Sequence, residues 1–177
     1  LSGFVISYNY NSLNSFKEFL IFLKKRVFRL YPLHFYSNVL FFGYILFSRL
    51  VFMKFFPEYF ENSNFTYKIH VEPFFDSIFL TNSTSILGDT GGSNGPSWSI
   101  SSEMISYLTF GVITFFIYKK IRTYIYSLII LLSLLFCFYY GVFFDVGNIG
   151  FVRGLVGFFM GYFVWKIYSK NNKLNIN

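Results

Sequence analysis

The stretch YIYSLIILLSLLFCFYYGVFF, residues 124–144, contains no charged side chain. At 1.5 Å per residue, a helix of this length is about 30 Å long, which matches the hydrocarbon core of a bilayer. An uncharged apolar run of this length is typical of a transmembrane helix and rare in soluble domains. The segment therefore predicts a helical protein that is integral to a membrane.

The composition of the whole chain agrees with this prediction. Of its 177 residues, 54% are hydrophobic and 13% are charged, about half the charged share of an average soluble domain. So few polar groups could not cover the surface of a soluble protein of this size. An ordinary cytosolic domain and a disordered tail are excluded. Cys137 is the single cysteine, which also excludes an intrachain disulfide and a cysteine-based metal site.

Three further stretches are long and apolar enough to cross a bilayer. The predicted spans are Leu33–Met53, Trp98–Tyr118, Tyr124–Phe144 and Phe151–Tyr168. Leu1–Tyr8 has the composition of the end of another apolar segment, and Phe74–Leu87 is short enough to predict an interfacial or re-entrant segment. The predicted fold class is all-α, a polytopic helical membrane bundle, with a partial membrane domain over 1–170 and a polar tail over 171–177.

The charged residues predict the orientation of these spans. Most basic residues lie before the first span, between the second and third, or after the fourth: Lys17, Lys24, Lys25, Arg26, Arg29, Lys119, Lys120, Arg122, Lys166, Lys170 and Lys173. Alternating spans place these clusters on one side, which the positive-inside rule makes cytoplasmic. The acidic residues of the long loops fall on the other side. Because apolar spans separate the basic clusters, they do not form the exposed basic face that a nucleic-acid partner requires.

Arg26 and Arg29 form the first candidate site, at the predicted cytoplasmic mouth of the first full span. At helical spacing they share one face, and two adjacent guanidiniums bind a phosphate well. The alternative is that the cluster orients the helix and contacts anionic lipid head groups.

Glu103 is the second candidate, about 7–8 Å along the helix that begins at Trp98. A carboxylate at that depth costs a few kcal/mol unless a polar cavity or a partner surrounds it. The alternative is a residue of the first helical turns, stabilised by the helix dipole. Arg153, in the last span, could pair with Glu103 or Asp145, or extend to the interface.

The two histidines have no carboxylate or nucleophile nearby in sequence. His34 is interpreted as a polar residue at the mouth of a helix, and His70 lies in the predicted external loop. The sequence contains no zinc-protease, nucleophile-elbow, Walker or EF-hand motif, and no metal site is predicted.

Taken in order, several short motifs resemble the acyltransferase-3 family, over nearly the whole chain. They are LSGFVI at 1–6, RVFRLYP at 26–32, GPSWSISSE at 95–103 with Tyr107, Arg153-Gly-Leu, and Phe158-x-x-Gly161. These proteins are polytopic membrane O-acyltransferases, many of which acetylate sugars of bacterial surface polysaccharides.

The resemblance implies transfer of an acyl group, such as acetyl, from cytoplasmic acyl-CoA to a hydroxyl of an extracytoplasmic carbohydrate or lipid-linked glycan. It implies that Arg26 and Arg29 bind the CoA phosphates, that Glu103 supports catalysis, and that Trp98, Ser99 and Arg153 contact the acceptor. Acyl-CoA would be a co-substrate, with no permanently bound cofactor. The expected location is a bacterial inner membrane, in contact with lipid.

The resemblance also implies a catalytic histidine on a membrane helix upstream of Leu1, and further spans after the last one. We therefore expect this chain to be a fragment, inactive by itself. The alternative function is a transporter or flippase subunit that binds an anionic lipid-linked substrate without chemistry. A transporter would move its substrate unmodified, whereas the enzyme would transfer labelled acetyl groups to it.

The predicted topology can be tested by single-cysteine labelling in a Cys137→Ser background. A membrane-impermeant reagent added to intact cells should label Asn62→Cys, which is predicted to be external. It should label Lys120→Cys only after the cells are permeabilised. Labelling of position 120 but not position 62 in intact cells would reverse the orientation.

Overall fold

The computed structural model describes residues 1–55, 72–84, 95–141 and 149–174. All the elements in these ranges are helical. They are α1 (Ser2–Asn9), α2 (Phe16–Phe55), α3 (Glu72–Ile78), a 3₁₀ turn (Gly95–Ser97), α4 (Trp98–Phe116), α5 (Lys119–Tyr140) and α6 (Gly150–Leu174). The prediction of an all-α membrane bundle is confirmed, since α2, α4, α5 and α6 are each long and apolar enough to span a membrane.

The first predicted span begins too late. Helix α2 starts at Phe16 rather than Leu33 and contains 40 residues, so it is about 60 Å long, roughly twice the thickness of a hydrocarbon core. The basic residues from Lys17 to Arg29 therefore lie on the helix and not in a loop before it. Pro32, inside α2, removes one helical hydrogen bond but does not end the helix here.

The other spanning helices begin and end within six residues of the predicted spans, with the largest differences at the start of α5, Lys119 instead of Tyr124, and at the end of α6, Leu174 instead of Tyr168. Helix α4 begins at Trp98, directly after the 3₁₀ turn. Helix α5 ends at Tyr140 because Gly141 adopts a left-handed conformation with φ 65° and its N–H caps the helix. The last part of the predicted third span, 142–144, lies outside the described residues.

Helix α6 lies at the centre of the bundle and packs against α1, α4 and α5. Glycines allow two of these contacts to be very close. A Cβ on Gly3 would lie 1.8 Å from the backbone oxygen of Phe158, and a Cβ on Gly154 would lie 1.8 Å from the Ser102 hydroxyl. Small residues at helix crossings are the usual way for membrane helices to approach each other.

Aromatic rings fill the space between these helices. The Phe158 ring lies 5.8 Å from the rings of Tyr107 and Phe110, and the Tyr126 ring stacks 4.6 Å from Phe159. All five side chains are buried. Edge-to-face and stacked pairs of this kind hold the helices at a defined rotation as well as a defined distance.

Of the predicted interfacial or re-entrant segment Phe74–Leu87, the structure describes the part in α3 and the turns that follow it, to Thr84. Residues 85–87 lie outside the described residues. The described part packs along α2, and the Phe74 ring stacks on the Phe42 ring with their centres 4.4 Å apart. Its end is fixed by hydrogen bonds from the Asn82 side chain to the Ser97 hydroxyl (2.7 Å) and between the Ser83 and Ser101 hydroxyls (2.7 Å). It does not span, and it is anchored at the end of the bundle that carries Trp98, hereafter the Trp98 end.

The opposite end of the bundle, hereafter the basic end, collects positive charge. The Arg122 side chain donates to the backbone oxygen of Asn11 (2.9 Å), and Lys166 donates to the Thr123 hydroxyl (3.0 Å). The α1–α2 connection, the α4–α5 turn and the last third of α6 therefore lie together. This agrees with the alternation of spans used in the topology prediction.

The close approach at Gly3 predicts a strong effect of a single methyl group. Gly3→Ala should lower the free energy of unfolding by about 1–3 kcal/mol, because the backbone oxygen of Phe158 cannot rotate away. Gly157→Ala is the matched control, since nothing lies within 4 Å of the added Cβ, and it should be neutral or stabilising by about 0.5–1 kcal/mol. Unfolding by SDS in mixed micelles, followed by circular dichroism, would measure both. Equal stability of the two variants would contradict the packing.

Candidate active site

Helix α2 runs antiparallel to α4 and carries a regular stripe of side chains along it. Phe19 stacks on Phe115 at 5.4 Å, and Phe22 lies 6.1 Å from Phe110. One turn further on, Arg26 reaches Tyr107. Because residues four apart share a helix face, the position of Phe22 determines where Arg26 points.

The Arg26 guanidinium lies in an aromatic cage. Its Cζ is 5.2 Å from the ring centre of Tyr10, 5.6 Å from that of Phe22 and 5.7 Å from that of Tyr107. Cation–π contacts at these distances favour the charged side chain. The Nε atom of Arg26 is buried, however, and has no hydrogen-bond partner among the described residues. The N–H group at Nε is therefore available to donate a hydrogen bond to a ligand.

Glu103 lies on the other side of Tyr107. The Tyr107 hydroxyl donates a hydrogen bond to the Glu103 carboxylate, one helical turn away. Tyr107 therefore contacts Arg26 through its ring and Glu103 through its hydroxyl. From the sequence, Arg26 and Glu103 were assigned roles, whereas Tyr107 was named only as part of the family resemblance.

The arginine pair is deeper than the sequence predicted. Tyr107 is near the middle of α4, so Arg26 lies about 13–14 Å from the Phe116 end of that helix. The sequence places the pair at the mouth of a span starting at Leu33; helix α2 begins at Phe16, so the pair lies within the helix. Arg29 is exposed, whereas Arg26 is half-buried.

Arg153 contacts the aromatic ring of Trp98. Its Cζ is 4.6 Å from the ring centre. This is a cation–π contact between α6 and the start of α4. The sequence did not predict Trp98 as a partner of Arg153. Asp145 lies outside the described residues. Ser99 is exposed, and its hydroxyl donates to the backbone oxygen of Pro96 (2.8 Å). The three residues expected at the acceptor side therefore lie together at the Trp98 end.

His34 is fully buried and both ring nitrogens have neighbours. Nε2 is 2.6 Å from the backbone oxygen of Ser77, and the Asn38 amide nitrogen lies 3.2 Å from Nδ1 and 3.1 Å from Nε2. With the hydrogen assigned to Nε2, the ring donates to Ser77. His34 therefore anchors the α3 segment to α2. His70 lies outside the described residues.

Two residues of the site had no role assigned from the sequence. Tyr107 could have been found from its spacing, since it follows Glu103 by four residues and shares its helix face. Tyr10, which forms part of the Arg26 cage, lies in the connection after α1, and no periodicity connects it to α2. Within the described part of the chain, no group of three metal-ligating side chains comes together.

Comparison with known proteins identifies the family. Neither curated proteins nor solved structures include a match to this chain. Residues 1–176 match the family model described as an acyltransferase domain. This match includes all the described helices. The chain is an integral membrane protein with acyltransferase architecture, and it belongs to the acyltransferase-3 family.

Proposed function

We propose that this protein transfers an acyl group, such as acetyl, from acyl-CoA to a hydroxyl of an extracytoplasmic carbohydrate or lipid-linked glycan. Membership of the family supports acyl transfer in general. The observation that carries the finer proposal is the Arg26 guanidinium: its buried Nε has no hydrogen-bond partner in the part of the chain that the structure describes, and its cage includes Tyr107, which holds Glu103. We also propose a bacterial inner membrane as its location.

Arg26 and Arg29 are proposed to bind phosphates of the acyl donor. A buried donor without a partner costs about 1–3 kcal/mol, and an anionic oxygen placed at Nε would remove that cost. Arg29 is exposed three residues further along α2, so it can approach the same anion from the other side. Two guanidiniums bind a diphosphate through several charge-assisted hydrogen bonds.

Glu103 is proposed to orient the reacting groups. In the transfer, the acceptor hydroxyl oxygen attacks the thioester carbonyl carbon, the carbon–sulfur bond breaks, and the hydroxyl proton passes to a base while the coenzyme leaves as its thiol. His34 is not proposed as that base, because its Nε2 is bound to the backbone oxygen of Ser77 and anchors the α3 segment. The Glu103 carboxylate, held by Tyr107, can accept a hydrogen bond from the hydroxyl or from a base and fix its direction.

Trp98, Ser99 and Arg153 are proposed to contact the acceptor. The Cζ atom of Arg153 lies 4.6 Å from the centre of the Trp98 ring. The hydroxyl of the exposed residue Ser99 adds a polar group at the same end. A sugar presents both apolar C–H surfaces and hydroxyls, and an aromatic ring flanked by a guanidinium and a hydroxyl complements both. Glu103 lies about 7–8 Å further along α4.

The donor role predicts a specific effect of Arg29→Lys in the full-length protein. Lysine retains the charge but loses the planar pair of donors, so acyl-CoA affinity should fall about ten- to a hundredfold, or roughly 1.5–3 kcal/mol. Arg49→Lys is the matched control on the same helix, away from the cage, and should bind like wild type. Equilibrium binding of acetyl-CoA to protein in nanodiscs would measure this. Wild-type affinity in both Arg26→Lys and Arg29→Lys would favour a lipid-anchoring role for the pair.

The orienting role predicts that Glu103→Gln folds and binds acyl-CoA but loses turnover by about 10²–10⁴-fold. Tyr107→Phe should show a smaller loss, since it removes only the hydroxyl that holds the carboxylate. Glu18→Gln makes the same change at an exposed position at the start of α2 and should leave turnover unchanged. The assay is radiolabelled acetyl transfer in reconstituted vesicles, with thermal stability measured in parallel. Wild-type turnover in a folded Glu103→Gln protein would end the catalytic assignment.

A further inference from the structure

A cavity opens at the basic end, apart from the Arg26–Glu103 site. Its volume is about 350 Å³, and residues of α1, α4, α5 and α6 line it together with the connection after α1. This volume lies at the lower end of the range for small-ligand pockets. It is suited to the head group of a ligand and not to a whole coenzyme.

The cavity is strongly basic. Lys119, Lys120, Arg122 and Lys166 line it, and no acidic residue is among the described residues of its wall. Arg122 is held in place by its hydrogen bonds to the backbone oxygens of Ile117 (2.7 Å) and Asn11 (2.9 Å). Four positive charges without a neutralising carboxylate favour a ligand with more than one negative charge.

One wall of the cavity is aromatic. The ring of Tyr162 lies 4.6 Å from that of Tyr126 and 5.6 Å from that of Trp165, and all three residues line the space. A flat aromatic base can stack on such a wall. Basic side chains beside aromatic rings are the combination that recognises a nucleotide, whose phosphates and base lie close together.

The cavity and the Arg26 cage share one residue, Tyr10. Tyr10 lines the cavity, and its ring also lies 5.2 Å from the Arg26 guanidinium. Thr114, at the cavity, and Tyr107, at the cage, are seven residues apart on α4, so the two sites are separated by about 10 Å along the helix. An extended ligand with its head in the cavity would therefore lead toward Arg26 and then Glu103.

We propose that this cavity binds the phosphorylated adenosine end of the acyl donor, with the adenine on the Tyr162–Trp165 wall and a phosphate among the four basic residues. This inference rests on the proposed function, because it assigns a further part of the same donor. Arg26 and Arg29 then bind the diphosphate deeper in the bundle. An anionic lipid head group shares the phosphate chemistry but has no base to stack on the aromatic wall.

The test uses adenosine 3′,5′-bisphosphate, which carries the nucleotide features but neither a thioester nor an acyl group. Calorimetric titration of the full-length protein in phosphatidylcholine nanodiscs should show binding. A Lys119→Gln/Lys120→Gln double variant and Lys166→Gln should each weaken it about tenfold or more. Lys170→Gln is the matched control, on the same helix as Lys166 but outside the cavity, and should change affinity less than twofold.

Fluorescence separates the nucleotide from a lipid. Bound nucleotide should quench Trp165 emission, and Trp165→Phe should remove that signal. Absence of binding to wild type, or an equal loss in Lys170→Gln, would overturn the proposal. So would quenching of Trp165 by brominated phosphatidylglycerol that the nucleotide does not reverse, because a lipid head group would then occupy the cavity.

The same measurements distinguish this inference from the proposed function. Lys119 and Lys120 are exposed, so the double variant should fold. It can therefore test nucleotide binding even if Lys166→Gln does not fold. Normal acyl transfer without nucleotide binding in the cavity would reject the cavity assignment alone. Nucleotide binding without acyl transfer to any acceptor would reject the proposed function alone.

Discussion

The bundle depends on the close approach of α6 to α1 and α4. In a membrane the lipid is as apolar as the helix surface, so helices associate through contact area and hydrogen bonds and not through burial from water. Gly3 and Gly154 provide that contact, because any side chain there would overlap Phe158 or Ser102. This spacing brings the Tyr107 ring against Phe158, and Tyr107 is the residue on which the Arg26 cage and the Glu103 hydrogen bond both depend.

The interior of the bundle is unusually polar, as a membrane site requires. About half of the described buried side chains are polar, while leucines of α5 such as Leu128, Leu131 and Leu135 are exposed on its outer face. An arginine at the centre of a span costs about 2.5–3.5 kcal/mol on insertion scales. Cation–π contacts contribute about 0.5–1 kcal/mol each, which offsets part of this cost, but the Nε donor of Arg26 has no hydrogen-bond partner among the described residues. This remaining cost is the reason for proposing that Arg26 binds a ligand.

The sequence predicted the elements better than it predicted their contacts. Spans were readable because lipid requires uninterrupted apolar runs, and the start of α4 was marked by Pro96 and Ser97. The start of α2 was misplaced because charged residues from Lys17 to Arg29 are typical of a cytoplasmic connection, whereas here they continue the helix.

Some residues of the candidate active site were predictable because charged side chains are rare in apolar segments. Arg26, Glu103 and Arg153 are charges within apolar surroundings, and such charges are conspicuous in a sequence. Their partners were not, because they depend on packing between distant segments. His34 meets Ser77 across 43 residues, and Arg153 of α6 meets Trp98 of α4.

The position of Glu103 along α4 has a consequence for the proposed reaction. Glu103 lies about 7–8 Å from the Trp98 end of that helix and about 19–20 Å from its Phe116 end. A long, flexible donor can cover the greater distance with its head retained at the surface, whereas a bulky carbohydrate needs to enter only the shallower side. The asymmetric depth of the Glu103–Tyr107 pair therefore suits transfer from an extended coenzyme to a sugar better than the reverse arrangement would.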